Sequence, residues 1–97
     1  MTEEAKMFKA LGDENRLFIF KMISGGEICA CKILEQLHIS QPTLSRHMKV
    51  LVDCGLVKVR KDAQWMRYSI NEDAVRNLDD FLKGIVLPGA LQTYHRQ

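Results

Sequence analysis

The period of the apolar positions changes along the chain, and each change marks an element. Over 2–11, Phe8 and Leu11 give a helix an apolar side, with Thr2 as N-cap. Glu3 and Glu4 suit the positive end of its dipole, and Gly12 ends it. Asp13 caps a second helix in which Leu17, Phe20 and Ile23 recur at helical spacing, until "SGG" at 24–26 breaks it. A third helix is predicted from Ile28 to Leu37, with Ile33, Leu34 and Leu37 as its buried edge. After the turn "HIS" at 38–40, Ser40 caps a fourth helix that tolerates Pro42 in its first turn. Leu44, Met48 and Leu51 form its core stripe, and Gly55 stops it.

The period then shortens to that of strands. "GLVKVRK" and "QWMRYSI", separated by "DA", read as a β-hairpin. Asn71 caps a last helix with Glu72 and Asp73 in its first turn and with Val75, Leu78, Leu82 and Ile85 along one face. Pro88-Gly89 interrupts it, and "ALQTYHRQ" is a final helical turn or a loose tail. The predicted fold class is α+β, mostly α: a winged helix–turn–helix (α-α-α-α-β-β-α) forming a single domain over 1–97.

Charge sharpens this reading. Net charge is only +2, but residues 40–70 carry Arg46, Lys49, Lys58, Arg60, Lys61 and Arg67 against Asp53 and Asp62, a local +4. The other 66 residues hold eight basic and ten acidic side chains, a local −2. A basic third on an acidic body suits nucleic acid, although a solvated charged surface also produces such asymmetry. The fourth helix divides into the core stripe and a polar face of Gln41, Thr43, Ser45, Arg46, His47 and Lys49. Gln pairs with adenine, Arg with guanine, and Ser or Thr with several base edges, so Gln41, Thr43 and Ser45 are candidates for reading bases, behind the cap Ser40. Arg46, His47 and Lys49 are candidates for bases or phosphates, and Lys58, Arg60, Lys61 and Arg67 of the hairpin for phosphates.

Ninety-seven residues make one domain whose core alone is marginal, so a partner subunit would help. The start of the chain, "MTEEAKMFKAL", is acidic and amphipathic rather than a signal peptide, and no apolar run is long enough to span a membrane, so a cytoplasmic location without a membrane partner is expected. There are three cysteines, an odd number, and cytosolic thiols stay reduced. That leaves burial, metal binding or redox sensing for Cys29, Cys31 and Cys54. There is no glycine-rich phosphate loop, no nucleophile beside a histidine and an acid, and no paired carboxylates in a recognisable cleft, so an enzyme is not expected.

"GGEICACKILEQLHISQPTLSRHMKVLVDCGLVKVRKDAQWMRYSI", preceded by "ALGDENRLFIFKMI", resembles the core of the arsenic-repressor/SmtB-type (ArsR/SmtB) metalloregulator family over roughly residues 8–70, about two thirds of the chain. The resemblance implies a homodimeric transcriptional repressor on a pseudo-palindromic operator in double-stranded DNA, released when a soft metal or metalloid binds. It implies dimerisation through the first and last helices, here 1–11 and 72–97. It also implies that the box "EICACKIL" supplies thiolates, Cys29 and Cys31, to arsenite, antimonite, cadmium or lead, with no cofactor required for DNA binding. Soft thiolates favour such ions.

Three positions depart from the family pattern. His38 stands where a glycine is usual in the helix–helix turn; were its φ positive, histidine would be among the less penalised substitutes. Asp62-Ala63 replaces Asp-Gly at the wing tip, which predicts a longer or differently shaped turn. Leu34 stands where a third cysteine often lies, which leaves the third ligand to water, a small thiol or Cys54. Residues two apart on a helix point about 200° from each other, so Cys29 and Cys31 can share an ion only if Cys29 precedes the first turn or that turn unwinds. Distortion there would reach the recognition helix through the packing of the third helix on it. A second family site in the last helices would need Asp79, Asp80 and His95; their spacing fits a solvated acidic face better. Outside the metal-responsive reading stand a thiol-redox-responsive or metal-independent winged-helix regulator, a winged-helix protein-interaction module, and a soft-metal buffer that regulates no gene.

Overall fold

The computed structural model describes residues 1–86. Pro88-Gly89, the tail and His95 therefore lie outside the described residues. The winged helix–turn–helix forms as five helices and a three-stranded sheet: α1 (Glu3–Leu11), α2 (Glu14–Ile23), β1 (Ile28–Cys29), α3 (Ala30–Gln36), α4 (Gln41–Asp53), β2 (Val57–Asp62), β3 (Trp65–Ile70) and α5 (Glu72–Val86). The strand order is β1-β3-β2, antiparallel throughout.

Local chemistry sets most helix starts. Thr2 Oγ1 accepts from the Ala5 N–H (3.1 Å), Asp13 Oδ1 from the Arg16 N–H (3.0 Å), and Ser40 Oγ from the Thr43 N–H (3.3 Å). Each relieves one of the N–H groups that a first turn leaves without a partner. Gly55, just past the end of α4, has φ +89°, a left-handed value that suits glycine. Asn71 does not cap α5 with its side chain. Its amide donates to the Gly55 carbonyl (2.8 Å) and its N–H to the Leu56 carbonyl (2.9 Å), tying the hairpin's end to its beginning.

The core draws on every helix and both hairpin strands: Met7 and Ala10, Ile19 and Ile23, Ile33, Leu44, Met48 and Leu51, Val57, Tyr68, Ala74 and Leu78, with Leu56 before β2. Two sequence expectations shift. On α2 the buried pair is Ile19 and Ile23, while Leu17 is 54% and Phe18 45% exposed. That helix is apolar almost all round, so periodicity alone does not choose its inner face. On α1, Met7 and Ala10 are buried, whereas Phe8 turns toward Phe81, ring centroids 6.0 Å apart.

The third helix starts later than expected. Ile28 and Cys29 are strand residues paired with Tyr68 and Arg67 of β3, and Cys29 is the N-cap of α3, with extended backbone (φ −78°, ψ 144°). Strand pairing takes these two residues out of the helix. At the helix–helix turn, neither His38 nor any other residue of 37–40 has a positive φ, so no glycine is required there. The wing turn is short: Asp62 faces Trp65, leaving a two-residue loop of Ala63 and Gln64. Ala63 carries a left-handed φ of +56° and Gln64 does not, so the first loop residue takes a conformation that favours glycine.

Candidate thiol site and nucleic-acid interface

The extended backbone at Cys29 sets the thiol geometry. Its Sγ accepts the Cys31 N–H at 3.3 Å, a cysteine acting as N-cap. The condition for both sulfurs to share a ligand, Cys29 ahead of the first helical turn, is met. They open on a hollow of about 320 Å³ lined also by Glu27, Lys32, Trp65 and Arg67. The Cys31 thiol holds the Cys29 thiol below its ordinary pKa, helped by the N–H groups of Cys31 and Lys32 and by the Arg67 guanidinium, against a burial effect of opposite sign. Cys31 is pushed up, first as the donor to Cys29, then by burial and by the charge on Cys29. The first proton to leave the pair therefore comes from Cys29.

Cys54 stands elsewhere. It caps the C-terminal end of α4, donates to the Leu51 carbonyl (3.3 Å), and lines a hollow shared with Lys6, Lys9 and Ala10 of α1. Among the described residues no group of three or more His, Cys, Asp or Glu is arranged to hold a metal ion. Asp79, from the acidic stretch of α5, pairs with Lys83 at 2.9 Å.

The candidate DNA-contacting residues divide by engagement. Ser40, Gln41, Ser45, Arg46 and Lys49 are exposed, and Thr43 and His47 are half-buried. Ser40 donates to Thr43 Oγ1 (2.9 Å) and Arg46 donates to the same oxygen (3.2 Å), so these three polar groups stand organised at the start of α4. Lys49 pairs with Asp53 at 3.0 Å. His47 Nδ1 lies 3.3 Å from Arg16 Nη1.

The hairpin is wired differently from the expectation of a basic wing. In the β2–β3 register Arg60 faces Arg67, and Cys29 of β1 faces Arg67 from the other side. Residues directly opposite share a sheet face, so two guanidiniums and the thiol lie in one row. Two carboxylates relieve the repulsion. Glu27 takes Arg60 through two hydrogen bonds (2.8 and 2.7 Å), and Asp62 takes Arg67 (2.8 Å). Each carboxylate is held below its ordinary pKa by its arginine. Lys58 and Lys61 stand exposed on β2 and have no ion-pair partner among the described residues. Arg67 thus belongs to the thiol hollow as much as to the wing.

The route from thiols to reader also differs. The main packing of α3 is against β1 and β3. Between α3 and α4 lies a hollow of about 340 Å³, lined by Cys31, Leu34, Gln41 and Ser45 and closed by Trp65 and Met66 of the wing. Sequence reasoning missed Arg16, Glu27, Lys32 and Trp65. A two-residue strand has no readable period, and only the pairing of β1 with β3 brings Glu27 and Trp65 to the cysteines.

Comparison with known proteins agrees with the winged helix–turn–helix fold. The family described as "Bacterial regulatory protein, arsR family" matches residues 13–59. The arsenical resistance operon repressor of Staphylococcus aureus is 46% identical over 81 residues, 79% of this chain and 78% of that protein. An uncharacterized HTH-type transcriptional regulator of Methanocaldococcus jannaschii is 43% identical over 75 residues, 76% of this chain and 84% of that protein. Among solved structures, an ArsR-like transcriptional regulator from Rhodococcus sp. RHA1 superimposes with a TM-score of 0.79 at 27% identity, covering 96% of this chain and 85% of the other.

Proposed function

The chain belongs to the arsR family of bacterial regulatory proteins, transcriptional regulators and not enzymes, and from that premise we propose that it is a homodimeric cytoplasmic repressor. It binds a pseudo-palindromic operator through α4 and the wing and leaves it when a soft metal or metalloid engages Cys29 and Cys31. The observation that carries this reading is the cysteine N-cap. Because Cys29 precedes the first turn of α3, two thiols converge on one hollow, and the donor set is the soft one that arsenite, antimonite, cadmium or lead prefers.

The residues that would hold the ion are Cys29 and Cys31, and it would supply two bonds to sulfur there. Cys29 is the strand partner of Arg67, and Arg67 is paired with Asp62 beside the wing tip. An ion on the Cys29 sulfur sits beside its strand partner Arg67, and drawing the sulfurs together strains the junction of β1 and α3. The wing is therefore the first DNA-binding element to respond. Two half-sites read about 34 Å apart lose affinity together when the reading elements shift. Coupling of this kind typically amounts to roughly 1–3 kcal/mol. A thiol-redox switch is the second reading, favoured by the two thiols lining one hollow and by the lowered pKa of Cys29.

The test is a titration of the fully reduced protein with arsenite, antimonite, cadmium, lead, zinc and copper(I), followed by thiolate charge-transfer absorbance. Cys29→Ser or Cys31→Ser abolishes tight binding of the cognate ion, and Cys54→Ser leaves it in place. If no ion binds the wild type, the metal-responsive reading falls and the redox reading takes its place.

A further inference from the structure

The cap of α2 is followed by an arginine whose side chain does not face solvent. The Arg16 side chain is 17% exposed. Its Nε donates to the Ala10 carbonyl at 2.6 Å and its Nη2 reaches the Lys9 carbonyl at 3.5 Å. These are carbonyls of the last turn of α1, at the negative end of that helix's dipole; the Lys9 carbonyl also accepts the Gly12 N–H at 3.2 Å. Asp13 Oδ2 lies 4.0 Å away, and Nη1 lies 3.3 Å from His47 Nδ1 on the recognition helix. One guanidinium therefore joins three helices.

Its chemistry dictates the state of the histidine. A guanidinium donates only and never accepts, so Nδ1 must be the acceptor. A neutral imidazole has one acceptor and one donor nitrogen, and the hydrogen is therefore on Nε2. His47 lies between Arg46 on the polar face and the buried Met48, half-buried on the flank of the helix.

We propose that Arg16 is a positioning residue for DNA recognition: it ties the end of α1 to the recognition helix and holds His47 in the Nε2–H tautomer, which donates to an oxygen or nitrogen acceptor of duplex DNA. The donation rests on the DNA-binding reading above; the tie between Arg16 and His47 does not. The same guanidinium adds a polar tie to the direct packing of α1 on α4, between a helix proposed for the dimer interface and the helix proposed to read bases.

Two measurements on the full chain test this. Two-bond ¹H–¹⁵N spectra of histidine-labelled protein, at a pH well above the ordinary imidazole range, report the tautomer directly. Wild type shows His47 as Nε2–H, and Arg16→Met returns it to a mixture. An Nδ1–H wild-type signal overturns the proposal. The second measurement uses a duplex that the wild-type protein recovers from a random 30-bp pool. Glutamine places its amide NH₂ near the position of Nε2, whereas asparagine places its own near Nδ1. His47→Asn therefore binds that duplex about tenfold more weakly than His47→Gln, the scale of one lost hydrogen bond. Equal affinity of the two variants overturns the donor role. If wild type recovers no duplex, the DNA-binding reading fails and takes the donor role with it, while the spectra still judge the tie to Arg16.

Discussion

Two cysteines separated by one alanine share their protons unequally. Cys29 is held down by the Cys31 thiol first, then by N–H groups at the start of α3 and by Arg67, while Cys31 is held up. A lowered pKa means that the thiolate appears at lower pH, and the thiolate is the nucleophile. Alkylation of Cys29 by iodoacetamide, read by peptide mass spectrometry, should have its pH midpoint below the ordinary thiol value of about 8.5. Cys31→Ala removes the leading cause and raises that midpoint; Arg67→Met raises it by less. A Cys29 midpoint at or above the ordinary value would contradict the assigned geometry.

Among the elements, the wing departs most from its sequence reading. Its two strands are legible in the sequence, but their register is not, and two of its four basic side chains are paired rather than free. Arg60 and Arg67 face each other and are each claimed by a carboxylate, one of them from outside the hairpin. The tip is strained because Ala63 occupies a left-handed conformation that costs a non-glycine residue about 1–2 kcal/mol. Glycine relieves that cost and adds about 0.4–1 kcal/mol of unfolded-chain entropy to be lost. Ala63→Gly should therefore stabilise the protein by roughly 0.5–1 kcal/mol. The check is a urea midpoint that rises at unchanged slope. A lower midpoint would mean that the tip is not left-handed at this position.

At the level of the whole molecule, the long last helix is incompletely covered. It buries Ala74 and Leu78, yet Phe81, Leu82 and Ile85 remain 44%, 49% and 43% exposed, with Phe8 of α1 packed beside Phe81. An apolar surface made by α1 and α5 together is what the proposed homodimer would bury, and a chain this short gains most from such a partner. Leu82→Glu should shift the protein toward monomer in sedimentation velocity. It should also weaken operator binding by an order of magnitude or more, since one half-site alone remains. Wild type sedimenting as a monomer at the concentrations where it binds DNA would remove the dimer from the proposal.

By itself the sequence determined whatever depends on neighbours close along the chain. Thr2, Asp13 and Ser40 are caps because a side-chain oxygen reaches an N–H three residues on. Leu44, Met48 and Leu51 are buried because helical spacing puts them on one face, and the hairpin forms because alternation continues through a short break. The family resemblance and the candidate cysteines were legible for the same reason: both are written in contiguous residues. The tertiary structure decided what depends on distant partners. Pairing of β1 with β3, some forty residues away, took Cys29 out of the helix and set it beside Arg67. Packing chose Ile19 over Leu17 on a helix apolar on most sides. Glu27 claimed Arg60 across 33 residues, and Arg16 reached His47 across 31. Such contacts leave no period or spacing in the chain, because they arise only where the fold brings two surfaces together.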